Sequence, residues 1–449
     1  MSESTLLEIA HAAVRRAREL GASDAAAHVG RKIVRLIRFS NNEVTAVKRW
    51  DDVTVQLLVK KERRVLLADL SEVSVEGAKR TVEQLVERAP LLTPAPVYAP
   101  LPDPAPTYPK LTRIYDPEVG EAVDRLYDAV ATAINAAQAE GAERVAGSLY
   151  ATVKERVLVT SAGVELTERS SYLNLYVRAF ADAEASGQFA TITVGFDGFN
   201  PERIGKRAGW VAVQARNPVD LEPGKYTVLF SPMVVADYAA WTAWAASALA
   251  VLMGYSWFRE KLGQKVAADN VTILEDPLLD GTPGATAWDL EGVPTQRKAI
   301  VEGGVLRTYL HNVTTAAAFQ TRSTGNAGWV FPEPFNVVMS PGTRSCEDLI
   351  ASIDRGVFIT NVWYTRFQDY VRGDFSSISR DGVFLIKNGS IEQSLKKVRV
   401  SDNMLRLFQA VREVGRDRFW VLWWGQEIQI PAYVAPMVVE EVPLTKPLV

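Results

Sequence analysis

The sequence predicts an α+β fold in two parts: an N-terminal region with helices layered on an antiparallel sheet, and a C-terminal β-rich region around a long buried helix. Three observations carry this expectation. Helical and strand periodicities arrive in blocks, a helix followed by several strands, rather than in single alternation. Eight prolines fall within residues 90–109 and interrupt the first block. Residues 238–258 carry no charge, and many short strand signals follow them to the C-terminus.

The elements are expected in this order. Leu6, Ile9, Ala10, Ala13, Val14, Ala17 and Leu20 recur at helical spacing, and Gly21 ends the run. Residues 33–39 and 44–50 flank Asn41-Asn42, the signature of a two-residue hairpin, and residues 53–59 and 63–68 read as two further strands. The helical period returns at Val75, Ala78, Val82, Leu85, Val86 and Ala89. The proline run tolerates neither helix nor central strand and reads as an extended strap across the surface. A third amphipathic helix spans 117–140, followed by strands at 144–160, 164–181 and 188–196. The boundary is placed at Pro218 to Gly224, which gives domains of residues 1–217 and 218–449. In the second domain, residues 299–310 and 384–395 form two hairpins whose acid-Gly and Asn-Gly turns suit type I′ geometry.

Composition excludes several classes. The chain has 449 residues, 47% of them hydrophobic, and a formal net charge of −3. Nucleic acid as the main partner is not expected of so balanced a charge. Cys346 is the only cysteine, so an intrachain disulfide and a thiolate cluster are both excluded, and no histidine lies near it to activate it. The acidic first residues lack the basic start of a signal peptide, which suits a cytoplasmic protein. Residues 238–258 are nominally long enough to cross a bilayer. Seven of these 21 residues are Ala, with weak drive toward lipid, and a helix buried in protein is expected instead. The three histidines, His11, His28 and His311, have no second ligand at metal spacing and read as structural, although His311 closes a hairpin in the second domain.

The segments D-L-E-G-V-P-T-Q-R-K at 289–298, S-T-G-N-A at 323–327 and G-D-F-S-S at 373–377 resemble the C-terminal domain of the TldD/PmbA family. That resemblance implies a cytoplasmic metallopeptidase assembly of zinc-bearing and metal-free subunits. In its catalytic members a His-Glu-x-x-x-His helix holds zinc, because two imidazoles one turn apart with a carboxylate beside them suit metal-assisted hydrolysis. A late Cys is a further ligand. The matching positions here begin with Ala239 and Ala240 and end with Trp244, and the late segment reads F-W-V-L-W-W-G-Q, with Trp423 and Trp424 in place of sulfur. The chain is therefore similar to the PmbA or TldE type, with no catalytic residue and no cofactor of its own. Zinc is expected in a TldD-like partner, and short or unfolded peptides are the expected substrates. Arg322, Ser323, Thr324 and Asn326 are expected to line a shared cavity and hold a peptide or touch the partner, with Arg297 and Arg366 available to carboxylates. The alternative is a self-associating peptide-binding or regulatory protein, a homodimer without proteolytic role. The paired tryptophans are expected to fill the former metal pocket and favour a protein interface.

Overall fold

Residues 1–447 are described by the computed structural model. Helix α1 (Glu3–Glu19) starts at Ser2, whose hydroxyl accepts from the Thr5 N–H, and turns its Leu6, Ile9 and Ala13 face inward. Three antiparallel strands follow, β1 (Asp24–Ser40), β2 (Glu43–Lys61) and β3 (Arg64–Asp69), and then α2 (Val75–Arg88). The hairpin at Asn41 and Asn42 has both residues at positive φ, as a type I′ turn requires. The two strands expected at 44–50 and 53–59 are one. Asp51 and Asp52 do not break it, because Asp51 pairs with Arg31 across the ladder and Asp52 projects from the opposite face.

The same order then repeats. After the short α3 (Glu118–Glu121) come α4 (Val123–Ala139), β4 (Arg144–Thr160), β5 (Glu165–Phe180), β6 (Ser186–Thr193) and α5 (Pro201–Gln214). Gly21 after α1 and Gly141 after α4 both take positive φ and turn the chain into strands of equal length. One six-stranded sheet results, in the order β3-β2-β1-β4-β5-β6, with each half the reverse of the other about the β1–β4 pair. The four long helices, α1, α2, α4 and α5, lie on one face. Val29, Val55 and Val157 meet α1 and α2, while Leu149, Leu173 and Val177 meet α4 and α5. Gly205 and Gly209 bring α5 onto α4 so closely that an added Cβ would stand 2.0 Å from the Ala133 carbonyl and 2.5 Å from that of Ala137. The other face, with His28, Lys32, Lys154 and Tyr172, carries no helix. The proline strap ties the halves of the molecule together: Lys60 donates to the Ala99 carbonyl, and the Tyr108 hydroxyl donates to the Gly292 carbonyl.

The rest of the chain wraps a buried helix. Its elements are β7 (Gly224–Phe230), α6 (Pro232–Ala245), α7 (Ala248–Leu252), β8 (Ile273–Glu275), β9 (Lys298–Glu302), β10 (Val305–Leu306), α8 (Val313–Ala318), β11 (Val337–Met339) and α9 (Cys346–Ala351). Then come β12 (Arg355–Asp369), β13 (Asp374–Lys387), β14 (Ser390–Ser394), β15 (Arg399–Asn403), α10 (Met404–Gln409), β16 (Val411–Val414), β17 (Phe419–Val421), β18 (Ala432–Val434) and β19 (Met437–Thr445). Pairings β12–β7, β7–β19, β19–β15, β15–β13 and β13–β12 close a ring. A second sheet runs β10-β9-β8-β11-β18-β17.

Helix α6 packs against strands of both sheets and is apolar all round, which is the pattern of a helix with no solvent face. Ser231 caps it and Pro232 opens it. It starts six residues before the uncharged stretch and ends at Ala245. There Leu310 diverts the backbone, accepting from the Ala248 N–H and donating to the Ala246 carbonyl. The remainder of 238–258 forms α7 and turns, so the expected single long helix is shorter than its composition suggested. Among the described residues no helix is long and apolar enough to cross a membrane.

Candidate functional site

Residues 239–244 of helix α6 include no His, Cys, Asp or Glu. Ala239 and Ala240 are wholly buried, and Trp244 is half-buried beside Phe331 and Tyr370. Asp237, one turn earlier, is committed elsewhere: its carboxylate accepts from the Thr365 hydroxyl at 2.6 Å and the Glu427 N–H at 3.3 Å. Burial pushes its pKa up to about 7. The histidines lie apart. His11 pairs with Glu165 on the surface, His28 stands on the sheet, and His311 contacts Thr315. Burial lowers both His28 and His311 to about 4, with the Arg156 charge adding to the effect at His28. Among the described residues no group of three His, Cys, Asp or Glu side chains is placed to hold a metal. Zinc does not fit this donor set. Burial also raises the Cys346 thiol to about 11, which leaves it protonated and inert.

The two tryptophan pairs do not share one filled pocket. Trp241 and Trp244 belong to a cluster with Phe367, whereas Trp423 and Trp424 pack on Trp363. Strand β12 carries both Trp363 and Phe367 and bridges the clusters. Trp424 and Tyr364 remain about half exposed, at 53% and 51%.

The motif-bearing turns form an internal knot. Gly325 has φ +67, and a Cβ there would meet the Pro294 carbonyl at 2.3 Å, so glycine is required. Asn326 is fully buried: its Oδ1 accepts from Lys298 and from the Thr324 hydroxyl, both at 2.8 Å, and its Nδ2 donates to the Glu333 carbonyl. Lys298 also pairs with the buried Glu275 at 2.5 Å. The Thr324 hydroxyl accepts from the His311 N–H and the Ser323 hydroxyl donates to the His311 carbonyl. Asp289 accepts from the N–H groups of Glu291, Val293 and Ala327. Burial raises Asp289 and Glu291 above the usual carboxylate range. The side chains of Ser323, Thr324 and Asn326 are thus hydrogen-bonded within the protein, with Asn326 fully buried and Ser323 and Thr324 half-buried. Arg322 is exposed. Arg297 pairs with Asp276, and Arg366 with Glu427.

Beside the knot lies a cavity of about 710 Å³, floored by the helix-free face of the sheet and roofed by the C-terminal part of the chain, including Ala327, Gly328, Glu333 and Phe335. Neither Arg297, Arg322 nor Arg366 lines it. On its floor Lys32 and Lys154 stand directly opposite each other in the β1–β4 ladder, a like-charge pairing that ordinarily destabilises a sheet. Both are open to the cavity. Neighbouring acids are engaged: Glu155 and Asp51 with Arg31, and Glu168 with Arg156. Asp52, the other cross-strand neighbour of Lys32, sets one negative charge against two positive ones. The Lys154 ammonium lies over the Tyr172 ring at 4.9 Å. Burial pushes the Tyr172 phenol up, but Lys154 and Lys32 outweigh it and leave the phenol below its usual pKa. Sequence reasoning missed Lys32, Lys154, Tyr172 and Glu333. The signal that brings the lysines together is the central β1–β4 register of the duplicated halves.

Known proteins show the same architecture. Residues 113–216 match the PmbA/TldA metallopeptidase central domain and residues 223–445 the PmbA/TldA metallopeptidase C-terminal domain. A metalloprotease of Methanocaldococcus jannaschii is 28% identical over 59% of this chain and 60% of its own length. A metalloprotease PmbA homolog of Haemophilus influenzae is 26% identical over 56% of this chain and 55% of its own. The chain thus spans a little over half the length of these relatives. TldE from Thermococcus kodakarensis superimposes with a TM-score of 0.84 at 21% identity, covering 96% of this chain and 98% of that one. At that identity the likeness shows the fold.

Proposed function

Since the chain belongs to the TldD/PmbA metallopeptidase family, we propose that it is a TldE- or PmbA-type subunit without a zinc site, working with a zinc-bearing TldD-like partner on short or unfolded peptides. The observation that supports this reading best is α6, where Ala239, Ala240 and Trp244 stand at the positions of the expected ligands and none can donate a lone pair suited to zinc. The nearest buried acid, Asp237, is held by Thr365 and the backbone of Glu427. In this reading zinc belongs to the partner, and this chain contributes chamber walls that admit extended peptides and exclude folded ones. The half-exposed Trp424 and Tyr364 suit contact with another chain, since aromatic residues are enriched at interfaces.

The test is cleavage of an unstructured peptide by this chain, by the zinc-bearing relative and by their mixture. Chelator-sensitive cleavage by the mixture, with none by this chain, is expected. Cleavage by this chain alone at the rate of the mixture overturns the proposal. Stable self-association with no binding to the relative favours a homodimeric peptide-binding protein instead.

A further inference from the structure

The cavity floor holds two lysines whose charges the protein offsets only in part, and burial together with Lys32 and Arg156 holds the Lys154 pKa below its usual value. Lys32 and Lys154 face each other across the central strand pair, and on their face Glu168 is taken by Arg156, which leaves Asp52 as the one neighbouring carboxylate opposite Lys32. Keeping two ammonium groups side by side costs stability unless something binds there. A planar anion with two oxygens can accept from both.

The opposite wall carries the complementary group. Glu333 lines the same cavity and is open to it, and desolvation by the surrounding walls raises its pKa, with no cation contributing. Its backbone is fixed on both sides by the knot, since its N–H donates to the Asn326 carbonyl at 2.9 Å and its carbonyl accepts from Asn326 Nδ2 at 3.0 Å. The cavity also reaches His28, whose buried Nε2 has no partner among the described residues. His28 and Lys32 lie four residues apart on β1, so this stretch of floor is about 13 Å long, the span of a few extended residues. Its volume falls in the range of small-molecule sites, about 300–1,000 Å³.

We propose that this cavity takes a short peptide with free ends, its terminal carboxylate held by Lys32 and Lys154 and its terminal ammonium by Glu333. The inference rests on the reading of the chain as a peptide-handling subunit and names the class of peptide: small, zwitterionic and selected by its ends rather than its side chains. Tyr172, next to Lys154, supplies a further polar contact at the carboxylate end.

Binding to the full chain alone, without the zinc-bearing partner, tests this separately from proteolysis. Calorimetry with tetraalanine is compared with its C-terminal amide and its N-acetyl form. Free tetraalanine should bind, with amidation weakening it about tenfold or more and acetylation weakening it severalfold, because charge-assisted hydrogen bonds are lost. The double variant K32Q/K154Q should abolish the preference for the free carboxylate while retaining the preference for the free amine. E333Q should do the reverse. Equal binding of the three peptides, preferences unchanged in the variants, or no binding of tetraalanine at millimolar concentration would overturn the proposal. Inorganic phosphate binding more tightly than the peptide would assign the lysines to a phosphoryl ligand and overturn it as well. If binding fails while the mixture still cleaves peptides, the subunit reading stands and only this site falls.

Discussion

The knot around Asn326 and the cavity floor around Lys32 are both polar, both charged and only one wall apart, yet they are built on opposite principles. In the knot the buried charged and polar groups are partnered: Lys298 has Glu275 and Asn326, and Asp289 has three backbone N–H groups. On the floor, two like charges confront each other, and Glu333 across the cavity makes no ion pair among the described residues. The knot carries two of the three recognisable motifs, 289–298 and 323–327, and the floor carries none. Motif likeness in this chain marks the scaffold, and unspent charge marks the place where a ligand would be held.

The sharpest way to break that distinction is to mutate each region and compare stabilities. N326A removes one buried hydrogen bond from each of Lys298, Thr324 and the Glu333 carbonyl, and should cost about 2–4 kcal/mol in chemical denaturation. A loss below about 0.5 kcal/mol would show that the knot is not the structural element described here.

Next in size is the pH response of the buried acid on α6. Asp237 has a folded pKa near 7, above the ordinary carboxylate value, so the folded state holds its proton more tightly than the unfolded chain. Its contribution to stability is therefore fully present below about pH 4 and is lost as pH rises through about 7. D237N should flatten the fall in denaturation midpoint between pH 5.5 and 8, by an amount on the order of 2 kcal/mol. An unchanged slope would place the titration elsewhere, with Asp289 the next group to replace.

The smallest effects belong to the floor and the surface. K32Q should leave stability within about 0.5 kcal/mol of the original or raise it slightly, because it removes a like-charge pair. R297A and R366A break ion pairs whose arginines are mostly exposed, and each should change stability by less than about 1 kcal/mol. A loss from K32Q as large as that from N326A would erase the difference between the two regions.

Much of the fold was legible in the sequence because its helices have one apolar stripe and its hairpins use Asn-Asn, Gly-Gly and Asn-Gly turns at positive φ. The duplication in the six-stranded sheet was not legible. Apart from the turn glycines Gly21 and Gly141, its halves share spacing and pattern more than residues. The break of α6 at Ala245 was hidden for another reason, since an uninterrupted apolar run does not reveal a backbone bridge to Leu310. For the site, the turn at 323–327 stood out, but its residue types suit a buried hub as well as a binding surface, and only burial separates the two. Lys32 and Lys154 lie far apart in sequence and become neighbours through strand register alone.

Zinc content of the purified chain tests the central claim most directly. After incubation with zinc and exhaustive dialysis, metal analysis should find well under one zinc per chain, because α6 presents Ala239, Ala240 and Trp244 and the histidines lie apart. One tightly held zinc per chain, lost on replacing His311 with Ala, would contradict it.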